Sequence, residues 1–91
     1  MSTEKILTLH PLGKNGKNID LEKYNILKDA ILRVLKSREL THTELFEQLN
    51  LDLKDKFHDN ISWYGETVKL DLEARKIIER TGSKPAKYKV I

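Results

Sequence analysis

Apolar positions change their spacing along the 91-residue chain, and each change of period marks an element. Residues 4–9 alternate weakly and stop at His10-Pro11, where proline removes the amide that a central strand needs. Asn15-Gly16, a tight-turn dipeptide, follows, so residues 4–19 are expected to form a strand and a short return strand. From Leu21 the period is helical. Leu21, Tyr24, Leu27, Ile31, Val34 and Leu35 fall on one side, and Lys23, Lys28, Arg33 and Lys36 fall elsewhere. With Asp20 as its N-cap, this helix is expected over residues 20–37.

The next start is written more sharply. Thr41-His42-Thr43-Glu44 has the form of a capping box, and Leu40 and Leu45 stand at the positions of a hydrophobic staple. Leu45, Phe46 and Leu49 supply the inward face of a helix over residues 41–50, with Asn50 as its end. Residues 51–59 follow, with Leu53 and Phe57 four apart, enough for one packed helical turn, and Asp59 or Asn60 is the expected cap of the next helix. A standard helix-turn-helix has only about three or four residues at such a point.

The stretch from Asn60 to Ile91 organises the rest. Around a helix over residues 60–76, Ile61, Tyr64, Gly65 and Leu72 lie within about 60° of Val68 and form a core side. Trp63, Leu70 and Ala74 gather on the far side with Thr67. After Lys76 two short β-rich runs, Ile77–Thr81 and Lys87–Ile91, flank Gly82-Ser83-Lys84-Pro85-Ala86 and predict a hairpin over residues 77–91. A helix leading directly into a basic hairpin predicts an α+β winged helix-turn-helix: an N-terminal strand pair, three main helices and a C-terminal β-hairpin wing in a single domain.

Leu72, Ile77, Ile78, Glu79 and Arg80 resemble the signature that closes the third helix of winged-helix regulators. Lys76 stands where that signature has glycine, and a lysine there would have to end the helix at a conformational cost. The fuller run Ser62–Ala86, preceded by the Thr41 capping box, resembles a family of short bacterial proteins assigned to the winged-helix fold. The resemblance implies a fold and brings no function with it.

Charge sharpens the picture. Residues 75–91 hold Arg75, Lys76, Arg80, Lys84, Lys87 and Lys89 against Glu79 alone, a balance of +5. The whole chain is +3, so residues 1–74 carry −2. A basic wing can meet phosphates, or its lysines can keep an exposed edge strand from pairing with other chains. Over residues 61–74, Lys69 is the one base against Glu66, Asp71 and Glu73, a poor endowment for reading a major groove. The second apolar face of this helix has three readings: cover by the N-terminal strands, a protein or self-interface anchored on Trp63 and Leu70, or base stacking on Trp63 or Tyr64.

Enzymatic chemistry finds no motif. His10, His42 and His58 show no ligand spacing, and Asp52, Asp55 and Asp59 lack the glycine and glutamate of a calcium loop. The run Gly13–Asn18 lacks the P-loop spacing, and there is no cysteine. No cofactor or metal is expected, and the first ten residues predict no signal peptide. The expectation is a cytoplasmic, non-enzymatic DNA-binding or regulatory protein. It would touch double-stranded DNA through Lys69, Arg75, Lys76, Arg80, Lys84, Lys87 and Lys89. The alternative is a protein-interaction module, homodimeric or with another partner, that uses the Trp63/Leu70 face.

Overall fold

The computed structural model describes residues 4–14 and 16–91. Its elements run β1 (Lys5–Leu7), β2 (Asn18–Asp20), α1 (Leu21–Leu35), β3 (Leu40–Thr41), α2 (His42–Leu53), α3 (Ile61–Ala74), β4 (Ile78–Arg80) and β5 (Lys87–Val90). Strands β1 and β2 pair antiparallel with Ile6 opposite Ile19. Gly16 is demanded by this hairpin, since a Cβ there would fall 1.6 Å from the carbonyl oxygen of Thr8. The turn expected at Asn15-Gly16 lies in part outside the described residues, at Asn15.

Each helix begins where the sequence has a cap. Asp20 accepts the Glu22 amide at 2.8 Å, and Asn60 accepts that of Trp63 at 2.9 Å. The capping box of α2 is complete: Thr41 accepts the Glu44 amide, and Glu44 accepts that of Thr41. Helix α2 does not stop at Asn50, because the Asn50 side chain donates back to the Phe46 carbonyl at 2.7 Å and the helix continues to Leu53. That extra turn buries Leu53, and the following turn buries Phe57.

Helix α3 ends in a two-bond motif. The Lys76 amide donates to the Glu73 carbonyl and the Ile77 amide to the Leu72 carbonyl, while Lys76 itself adopts φ 65°. This is a Schellman cap with lysine in the left-handed position that glycine normally fills. The cap turns the chain sharply into β4, so Ile78 enters the core at once.

The second sheet has the order β3-β5-β4, with Leu40 opposite Tyr88 and Arg80 opposite Tyr88 on the other edge. Strand β3, two residues long, had no periodicity to announce it. It forms because β5 offers a free edge beside the first residues of α2. The core lies between the three helices and this sheet. Tyr24, Leu27, Ile31, Leu45, Leu49, Val68, Leu72, Ile78 and Tyr88 meet there. Gly65 sets the spacing of α2 and α3, because a Cβ would approach the Phe46 ring to 2.8 Å.

Candidate functional site

Two charged residues of α3 point inward. Asp71 is fully buried and takes the Tyr24 hydroxyl, the Leu9 amide at 2.8 Å and Arg75 Nε at 2.9 Å. Burial, then the hydrogen bond and charge of Asp71, drive the Tyr24 pKa upward. The Arg75 guanidinium is held above its ordinary range by the same carboxylate. One carboxylate thus ties α1, α3 and the segment after β1 together.

Lys69 is 2% exposed. Its ammonium donates to the Tyr88 hydroxyl at 2.9 Å and lies 4.1 Å from the centre of that ring. Glu66 is 3.2 Å away and His42 Nδ1 is 3.3 Å away. His42 stacks on Phe46 with centroids 4.3 Å apart. Its pKa is lowered by burial first and then by Lys69, which together outweigh Glu66. The cluster joins α2, α3 and β5.

The structure places Lys69 inside the fold, away from the exposed lysines of the wing, with Tyr88 and Glu66 holding its ammonium. The remaining bases divide into two groups. Arg75 is paired with Asp71, Arg80 with Glu73 at 3.5 Å, and Lys89 with Glu79 at 3.3 Å. Lys76, Lys84 and Lys87 are exposed and hold no ion pair among the described residues. The wing is therefore less positive in effect than its sequence balance suggests.

The outer face of α3 carries Trp63, Thr67, Leu70 and Ala74. Trp63 is 44% exposed, resting edge-on against Tyr64 with centroids 4.9 Å apart, and Leu70 is half-buried. At the C-terminal end of the face, Ala74 lines a cleft of about 350 Å³ with Leu7, Thr8, Leu9 and His10. Leu7 and Leu9 are themselves 62% and 44% exposed. The N-terminal hairpin thus borders this face at Ala74 and leaves Trp63 uncovered.

No motif in the sequence marks the inward turn of Lys69 and Asp71. One signal was present: Asp71 lies about 60° from Val68, on the same arc as Leu72. A buried Tyr24 also requires a partner for its hydroxyl.

Over the described residues these features define a small α+β domain of three helices and two antiparallel sheets. The chain belongs to a family of unknown function, DUF6958, whose family model matches residues 5–88. No curated protein and no solved structure matches it. No helix among the described residues is long and apolar enough to cross a membrane. None of the described His, Asp and Glu side chains form a group suited to hold a metal ion.

Proposed function

We propose that the chain is a winged helix-turn-helix module that docks protein on the outer face of its third helix rather than reading a DNA groove. The winged-helix part of this reading is supported by the element order. A short strand sits between α1 and α2, and it pairs with the second strand of the hairpin that follows α3. The observation that carries the docking part is the composition of that face. The one base of α3 is buried, and what the face offers outward is Trp63, with Leu70 and Ala74 half-exposed along the strip, beside Glu66. A groove-reading helix needs the reverse, cations and amides toward the phosphates and base edges. An aromatic anchor within an apolar strip is what protein interfaces use.

A second reading keeps one specific support. Lys76, Lys84 and Lys87 are exposed on or beside the wing and hold no ion pair among the described residues, a set that could meet phosphates without reading sequence. A salt-titrated binding assay on random duplex DNA separates the two. The docking reading expects no measurable duplex affinity even at low ionic strength. Contact with three phosphates would give a slope of about −3 in log–log terms. It would be lost when Lys76, Lys84 and Lys87 are changed together to glutamine, and that result would replace docking with phosphate contact.

A further inference from the structure

The outer strip of α3 reads the same from both ends. Trp63, Thr67, Leu70 and Ala74 are spaced four, three and four, symmetrically about the midpoint between Val68 and Lys69. The spacing is that of an apolar seam between paired helices. A two-fold axis through the midpoint would lay a second α3 antiparallel across the first. Trp63 would then lie opposite Ala74, about 8 Å from the axis, and Thr67 opposite Leu70, about 2 Å from it. The largest side chain of the strip meets the smallest. It does so at the cleft of about 350 Å³ that Ala74 shares with Leu7 and Leu9.

Charge agrees with this arrangement. Asp71 holds the Leu9 amide, so the N-terminal hairpin sits beside the C-terminal end of α3. An antiparallel pair brings that hairpin to the other copy's α3 N-terminus. Residues 5–19 carry Lys5, Lys14 and Lys17 and no acid, whereas residues 55–66 carry Asp55, Asp59 and Glu66 against Lys56. Asp59 and Glu66 already pair with Lys23 and Lys69 within each copy, and their exposed side chains leave room for the hairpin lysines as second partners. The helix dipoles also run in opposed directions. Trp63, Leu7 and Leu9 expose on the order of 300 Å² of apolar surface in each copy. With the polar rim of both copies the contact reaches about 1,000 Å², the lower bound for a specific interface.

We infer that the partner of this face is a second copy of the chain, joined as a two-fold antiparallel α3 pair with each Trp63 seated in the other copy's Ala74 cleft. The inference rests on the protein-docking reading above. An interface of this size forms a reversible dimer whose population follows concentration.

Sedimentation across a wide concentration range tests it, with Trp63 emission as a second reading, since the chain has one tryptophan. The expected result is a mass rising from 10.6 kDa toward twice that value, with the emission moving to shorter wavelength as the indole leaves water. Trp63→Ala should weaken association about thirtyfold or more, as loss of an interface anchor does. Ala74→Gln, which fills the cleft and leaves the core untouched, should do the same. Circular dichroism of both variants checks that they remain folded. A mass of 10.6 kDa at every concentration overturns the inference, as does a dimer that survives either substitution. A monomer that also ignores duplex DNA sinks self-pairing and leaves docking of another protein standing. Salt-dependent duplex binding through the wing lysines sinks the docking reading itself, whatever the mass.

Discussion

At the scale of single residues, this fold depends on two charges held inside it. Asp71 accepts from Tyr24, Leu9 and Arg75 at once, so removing its carboxylate strands a hydroxyl, an amide and a guanidinium together. Asp71→Ala should cost about 3–5 kcal/mol, the usual penalty for breaking a buried pair, a large share of the roughly 5–15 kcal/mol that holds a domain together. Urea unfolding measures the loss, and hydrogen exchange at the Leu9 amide should accelerate with it. A cost under about 1 kcal/mol would mean that water replaces the carboxylate without strain. His42 sets a different dependence. Its folded pKa is lowered by burial and by Lys69, so the unfolded chain binds more protons just below the ordinary histidine value of about 6.5. Its contribution to stability is therefore complete above that value and is lost as pH falls through the lower folded pKa. The urea midpoint of the wild type should drop between pH 7.5 and pH 5, and His42→Gln should flatten the drop. Equal slopes in the two proteins would assign the pH dependence to other groups.

Among the elements, the ends of the helices were more legible than the contacts of their sides. The Thr41-Glu44 box, the Asp20 and Asn60 caps and the lysine in a glycine position are local chemistry, and the structure holds each of them. Lys76 supplies a direct test. A left-handed residue with a Cβ costs about 1–2 kcal/mol, and glycine returns about 0.5–1 of that through its freer unfolded chain. Lys76→Gly should therefore raise stability by about 0.5–1 kcal/mol, and a lower urea midpoint in the variant would show that the lysine side chain contributes more than its backbone costs. Strand β3 could not be read in this way. Leu40 and Thr41 are a strand only because β5 runs beside them, and a sequence window does not contain partners as distant as Tyr88 and Lys87. The inward turn of Lys69 was hidden for the same reason, since the Tyr88 hydroxyl that accepts its hydrogen bond belongs to another element. Trp63 and Leu70 were legible as a second apolar face, and what borders that face became visible only when the β1–β2 hairpin was placed beside Ala74.

For the whole molecule, the order of strands decides more than shape. Strand β5 is central, flanked by its hairpin neighbour β4 and by β3 from the far side of α2 and α3. Closing β4 onto β5 spans a short loop, whereas bringing Leu40 to Tyr88 must close the whole segment that contains two helices. The entropy of that closure rises with the segment's length and is recovered only once the helices have packed. The two edges of one strand should therefore belong to different moments of folding. In stopped-flow refolding, Leu40→Ala should leave the folding rate nearly unchanged and speed unfolding, with a φ-value below about 0.3. A φ-value near one would place the β3–β5 pairing in the nucleus. If it is low, the join between the capping box of α2 and the wing is the last part of the domain to close and the first to open. The Lys69–Tyr88 contact then acts as a kinetic latch, lengthening the lifetime of the folded chain without hastening its formation.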